Sequence, residues 1–324
     1  MEKSVRISKD SDRFTMIRLK AMKIIKLSLL LTAFFVFPAA GQTKVSPFEK
    51  EIKPIQMDLL AKLTGNKSIT VHEDVVTLTL GSTRTKLQSR TTDFSRSASA
   101  EFLFKQIRGQ GLNAKRHKYT TTLEGENIYA IIPATVESDE YVVLGAHYDS
   151  VKDSPGANDN ASGTTLVYGV AYKLAKLKNR SRNFIIVFFD QEERGLVGSR
   201  AFAKKLKDEG FNIHSVHTVD QMGWDEDGDR AIELELPTPD LENLYRQEAE
   251  KLSIPVHKTN VPSTDHTAFR EIGFDAIGIT EEYKNKDTTP HYHKPTDTYE
   301  TIDFDYLVST TRLVFNVMKR LAGN

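Results

Sequence analysis

The sequence predicts an α/β fold: three α/β/α layers around a mixed, largely parallel central sheet. Three observations predict it. From residue 126 onward, strand-like apolar runs alternate with amphipathic helical segments. One of those runs, NFIIVFFD (183–190), is continuously apolar, the pattern of a strand buried on both faces. Acidic and histidine residues stand directly after several runs, at the strand ends where open sheets of this kind bind ligands.

Residues 46–64 have helical periodicity behind a Ser46-Pro47 start and stop at Gly65. Residues 66–90 are rich in Thr, Val and Ser and read as irregular or weakly β. An amphipathic helix over 94–110 runs to Gly111. ENIYAIIPA (126–134) and YVVLGAHY (141–148) read as strands. A helix over 161–177 opens after Asn158, Asp159 and Asn160, which are N-cap candidates. The strand at 183–190 is followed by a helix over 198–210, closed by Gly210. Strands are expected at 214–222 and 231–236, a helix at 239–252, a strand at 274–280 and the last helix at 303–322. No repeat, low-complexity tract or long linker interrupts residues 42–324, which are expected to form one domain.

Residues 1–41 read differently. Met22-Lys23-Ile24-Ile25-Lys26 precedes LSLLLTAFFVFPAA, and Ala39 and Gly41 suit the small positions of a cleavage site. This is the pattern of a secretory signal peptide over 22–41. The first 21 residues are polar and basic, an odd prefix for a signal, so the expected start is Met22. A membrane anchor is the other reading, for which the run is short. The expected location is secreted or periplasmic, with no stable span after signal removal.

Lys plus Arg and Asp plus Glu are 44 each, which removes the net field that nucleic-acid or anionic-membrane binding would use. The chain has no cysteine. Disulfides, thiolate ligands, iron–sulfur clusters and a cysteine nucleophile are thereby excluded. Any metal site must use His, Asp and Glu.

Those residues collect at the predicted strand ends. His147 and Asp149 end VVLGAHYD, Glu192 and Glu193 follow NFIIVFFD, and Asp220 ends HSVHTVD. His291 and His293 lie in the polar loop after FDAIGIT. Imidazole and carboxylate suit zinc, and two metals about 3.5–4 Å apart can share a carboxylate while activating one water. His214 and His217, at i and i+3 on a strand, face opposite sides and are expected to be structural.

Five stretches then carry a resemblance: GAHYDSV (145–151), PGANDNASGT (155–164), FFDQEERGLVGS (188–199), VDQMGWD (219–225) and HYHKPTDT (291–298). In this order they resemble the di-zinc aminopeptidases of the bacterial leucyl aminopeptidase and aminopeptidase Y type, with Thr264-Asp265-His266 as a weaker echo. The resemblance implies the zinc exopeptidase fold, a phosphorylase/hydrolase-like three-layer sandwich, and two Zn2+ per chain. His147 and Asp220 would bind one zinc, Glu193 and His293 the other, and Asp159 would bridge them. Asp149 would accept the His147 imidazole N–H. Glu192 would be the general base, and Tyr292 would donate its hydroxyl to the developing oxyanion. The family pattern Y-H-x-x-x-D-T selects His293 over His291. The chain departs from the family at Gln191 and in the T-V-D-Q-M-G-W-D stretch, which brings Gln221 and Trp224 near the metal rim.

The activity so implied is removal of N-terminal residues from a peptide with a free N-terminus. Carboxylates beside the metals would grip the amine, and an apolar pocket would take the first side chain. Three alternatives stay open: a glutaminyl cyclase, a receptor-like module without catalysis, and a carboxypeptidase or aminoacylase. The last would need a positioned cation, for which Arg270 and Lys294 are candidates.

Overall fold

The computed structural model describes residues 45–72, 82–284 and 286–323. The expected signal peptide over 22–41 lies outside them. In chain order the elements are α1 (Pro47–Leu63), β1 (Ile69–His72), β2 (Ser82–Thr85), α2 (Asp93–Gly109), β3 (Ala114–Thr120), β4 (Glu124–Ile132) and β5 (Glu140–His147). Then come α3 (Gly163–Ala175), β6 (Asn183–Phe189), α4 (Val197–Asp208), β7 (Asn212–Asp220), β8 (Ile232–Glu235) and α5 (Pro239–Glu250). The chain closes with β9 (Val256–Thr259), α6 (His266–Arg270), β10 (Ala276–Glu281) and α7 (Phe304–Leu321).

All seven residues of β6 are buried, and the alternation of a strand divides them between two cores. Phe184, Ile186 and Phe188 pack on one side with α2, α3 and α7. Ile185, Val187 and Phe189 pack on the other with Phe202 of α4 and Phe269 of α6. Each such side chain contributes about 1.5–3 kcal/mol relative to exposure, which makes this strand the rigid centre of the molecule.

Around β6 the sheet runs β3-β4-β6-β5-β7-β10-β8-β9. The pairs β6–β5, β5–β7, β7–β10 and β8–β9 are parallel, while β3–β4, β4–β6 and β10–β8 are antiparallel. The sheet is therefore mixed with a parallel centre, as the alternation predicts. β1 and β2 form a separate antiparallel pair within the stretch read as weakly β.

Helices α1, α2 and α7 start where polar side chains satisfy their first amides. Ser46 Oγ accepts from the Glu49 amide at 3.2 Å, with Pro47 as the first helical residue. Thr92 and Ser95 cap each other reciprocally, and Asp303 accepts from Asp305 and Tyr306. Each cap contributes about 1 kcal/mol. Helix α3 begins at Gly163, two residues later than expected, because Ala157–Ser162 forms a wide turn. Ser162, none of the expected candidates, takes the N-cap position and makes no capping bond, while Asn160 Oδ1 accepts the Gly163 amide at 2.9 Å.

Three elements escape the sequence reading. β3 (AKRHKYT) is an edge strand whose charges guard its free edge, which blurs the alternation. β9 has four residues and α6 five, too few for a period to register. No helix among the described residues is long and apolar enough to cross a membrane.

His214 is exposed at a register shift between β5 and β7, and His217 is buried. The His217 ring lies between Ser215 Oγ at 3.0 Å and the Tyr245 hydroxyl at 3.1 Å. Burial holds its pKa down from 6.5 to about 3. The unfolded chain therefore binds this proton below 6.5 while the folded chain does not until about 3. Its contribution to stability is complete above 6.5 and is lost as pH falls through that window. His217→Gln should flatten the decline of urea-unfolding stability between these values; an unchanged slope would contradict it.

Candidate metal centre

The parallel centre of the sheet brings its carboxyl ends to one rim. His147 is the last residue of β5 and Asp220 the last of β7. Glu192 and Glu193 lie in the short turn after β6, and Asp159 in the wide turn between β5 and α3. His293 comes from the loop after β10.

Asp159 stands between two imidazoles. Its Oδ1 is 3.3 Å from His147 Nε2, and its Oδ2 is 3.1 Å from His293 Nε2. On the first side Asp220 Oδ1 is 3.5 Å from the same His147 nitrogen. On the second, Glu193 Oε2 is 3.0 Å from His293 Nε2. Two donor groups result: His147, Asp159 and Asp220, and Asp159, Glu193 and His293, each within 4.8 Å. Glu192 belongs to neither and holds its carboxylate 3.9 Å from His147 Nε2.

The supports are backbone amides. Asp149 Oδ1 lies 3.3 Å from His147 Nδ1. The same carboxylate accepts the Glu192 amide at 3.1 Å and the Glu193 amide at 3.2 Å. It thus orients the imidazole and holds the glutamate turn, whose flanks Gln191 and Leu196 adopt left-handed backbone at φ 61°. Asp297 does the same for the other turn, accepting the amides of Asn158 at 2.8 Å and Asp159 at 3.1 Å.

Burial pushes the Glu192 carboxyl well up, and the Asp265, Asp220 and Asp149 charges push the same way against His147. Burial and the Asp159 charge raise Glu193 to about 7. Burial also raises Asp220. Hydrogen bonds to Asp159 and Glu193 hold the His293 imidazole up at about 10. His147 Nε2, Glu193 Oε1 and Asp220 Oδ1 are buried without a hydrogen-bond partner. Crowded carboxylates with unpartnered oxygen and imidazole donors, and no thiolate, fit a divalent cation such as zinc.

Tyr292 stacks on the His293 ring at 3.8 Å and is 48% exposed. His291 stands outside both donor groups: its Nδ1 is 2.9 Å from Thr296 Oγ1, and its ring meets Trp224 edge-on. Gln191 is buried and accepts from the Tyr119 hydroxyl, whereas Gln221 lines the cavity beside Asp220. Arg270 donates to the carbonyls of Leu236 and Ala276, and Lys294 to that of Pro290.

The sequence reading missed Arg90 and Glu281. Buried Arg90 donates to the carbonyls of Leu63, Tyr148, Pro155 and Gly156, tying the Asp149 loop to α1. Buried Glu281 accepts from the Asn158 side chain and from the Trp224 and Thr289 amides. A lone arginine in a polar stretch and a glutamate at a strand end carry no local signal of such roles.

A cavity of about 430 Å³ adjoins the rim. Asp159, Glu192, Asp220 and Tyr292 form one side of its lining; Glu235, Thr264 and Tyr283 also face it. An apolar pocket is the expectation here; apolar atoms do supply the larger part of the exposed lining, and carboxylates and hydroxyls are set into it.

Residues 127–318 match peptidase family M28. The chain belongs to that family. This M28 member is similar to a probable leucine aminopeptidase of Trichophyton verrucosum, at 29% identity over 69% of this chain and 66% of the relative. It is similar to the solved structure of BSAP, a zinc aminopeptidase from Bacillus subtilis: 27% identity, TM-score 0.57, 62% of this chain and 51% of that one. A glutaminyl cyclase of Porphyromonas gingivalis shares the fold at 17% identity and TM-score 0.65, over 83% of this chain and 98% of that one. The chain spans from 45% to 66% of the length of the first curated relatives it matches.

Asp149→Asn should weaken zinc binding by about 10- to 100-fold in a chelator competition, because it disturbs the imidazole and the glutamate turn together. Unchanged affinity would show that the two are held independently of Asp149.

Proposed function

We propose that this M28 member is an exported, zinc-dependent aminopeptidase. The observation that carries the reading is Asp159, whose two oxygens face His147 and His293 separately. His147 and Asp220 would hold one zinc ion, Glu193 and His293 a second, with Asp159 shared; zinc bound there supplies Lewis acidity toward a carbonyl oxygen and makes water easier to deprotonate.

The chain's own groups do the rest. Glu192 stands beside the donor groups without belonging to either, and burial raises its proton affinity. It takes a proton from the attacking water and delivers it to the departing amine. Asp149 keeps the His147 ring oriented while this happens. The Tyr292 hydroxyl, carried on a ring stacked against His293, donates to the carbonyl oxygen as that atom gains charge. Carboxylates at the cavity mouth receive the free α-amine. The arginine and lysine considered for a C-terminal carboxylate donate to backbone carbonyls, which favours an N-terminal anchor. The case for export is the leader pattern over 22–41.

The test is a panel of aminoacyl amides, acyl-amino acids and a Gln-peptide, assayed with and without a chelator. Free amino acid should be released from the aminoacyl amides, cease with chelation and return with zinc. Activity untouched by the chelator, or ring closure of the Gln-peptide in place of release, would sink the reading. Glu192→Gln should retain about two zincs per chain by metal analysis while kcat falls by about 10²- to 10⁴-fold. A variant keeping most of the wild-type rate would remove Glu192 as the base.

A further inference from the structure

We propose that the cavity beside the metal centre selects a cationic first side chain, lysine or arginine, through the buried carboxylate of Glu235. The inference rests on the aminopeptidase reading, because it takes the cavity as the place where the first side chain of a substrate lies.

The cavity runs from Asp159, Glu192 and Asp220 at the rim to Glu235 at the end of β8. A peptide whose first carbonyl sits at the rim has this space for its first side chain. Glu235 is 2% exposed. Its Oε2 accepts from Thr264 Oγ1 at 3.0 Å, and the Tyr283 hydroxyl lies 3.5 Å from its Oε1. No Lys or Arg is among the described residues that line the cavity. His266 Nδ1 is 3.5 Å away, but burial holds that imidazole down to about 4, so it is neutral and brings no charge.

A buried carboxylate served by two hydroxyls and no cation is costly to ionise. Burial, with the Asp220 charge, accordingly raises the Glu235 pKa to about 8. A lysine or arginine head reaching the cavity floor supplies the missing charge. A leucine side chain would desolvate the same carboxylate and give it nothing.

The sheet makes room for this group. Gly278 of β10 is its cross-strand partner, and a Cβ there would stand 2.4 Å from Glu235 Oε2 and 2.7 Å from His266 Nδ1. Of the other two glutamates among the described lining residues, Glu192 stands at the metal rim and Glu281 already receives the Asn158 side chain and two backbone amides. Among the described lining residues, Glu235 is the carboxylate left to meet a substrate's first side chain.

The experiment compares lysyl, arginyl and leucyl 4-nitroanilides on the zinc-loaded full chain, with lysinamide and leucinamide binding measured in parallel by calorimetry. Lysyl and arginyl substrates should exceed leucyl in kcat/KM by about tenfold or more. Glu235→Gln, which keeps the shape of the side chain, should lower the lysyl-to-leucyl ratio at least about tenfold, mainly through KM, and weaken lysinamide binding in parallel. A thermal melt confirms that the variant folds. Hydrolysis without preference for the cationic residues, or with Glu235→Gln moving lysyl and leucyl alike, overturns the assignment and leaves the aminopeptidase reading standing. Glu235-dependent lysinamide binding without hydrolysis supports the pocket and removes the aminopeptidase reading. Loss of both hydrolysis and selective binding overturns both.

Discussion

Buried negative charge is the constraint on which the rest of this structure depends. Asp149, Asp159, Glu192, Glu193 and Asp220 converge at one rim, with His147 and His293 among them. Carboxylates this close cannot all ionise in a low-dielectric setting unless positive charge or hydrogen bonds hold them. The chain answers with backbone amides: Asp149 takes those of Glu192 and Glu193, and Asp297 those of Asn158 and Asp159. Such charge-assisted bonds contribute about 1.5–3 kcal/mol each. They fix where the carboxylates point without cancelling their charge, which leaves the neutralising role to a cation.

Holding that charge in place requires a frame that does not yield. The parallel strands β6, β5 and β7 set three of the contributing segments side by side, and phenylalanines on both faces of β6 make the centre stiff. Helix α4 meets the end of β6 so closely that a Cβ at Gly198 would lie 2.1 Å from the Asp190 carbonyl oxygen. Arg90 then binds the Asp149 loop through the carbonyls of Tyr148, Pro155 and Gly156 and ties it to α1 through that of Leu63. Burial lowers its pKa only to about 10, because the surrounding carboxylates favour its charge, so it stays a cation at neutral pH. The Arg90 guanidinium serves the backbone of the loop, and among the described residues no arginine pairs with the metal-facing carboxylates.

The same logic recurs in the cavity. An apolar pocket would suit a leucyl substrate, and the family resemblance alone leads to that expectation. Glu235, Thr264 and Tyr283 set polar groups into that lining, and the missing side chain at Gly278 is what lets a carboxylate stand there. The selectivity proposed for this cavity would thus depend on the Glu235 side chain of β8 standing opposite the bare Gly278 of β10.

How much was legible follows from where each signal resides. The sequence by itself determined the α/β class, the buried centre at 183–189 and the position of His147, Glu193, Asp220 and His293 at or after strand ends, because periodicity and strand-end position are local properties; Asp159 entered through the family resemblance. It left β3, β9 and α6 unread, since an edge strand full of charge and elements of four or five residues carry too little periodicity. The choice between His291 and His293 needed a family pattern at the level of sequence; in space it follows from Thr296 and Trp224 holding His291 aside. Arg90, Glu281 and Glu235 were decided only by the tertiary structure. Most of their partners are 27 or more residues distant along the chain, and burial, which turns an ordinary charged residue into a tie or a poorly neutralised charge, exists only once the layers close.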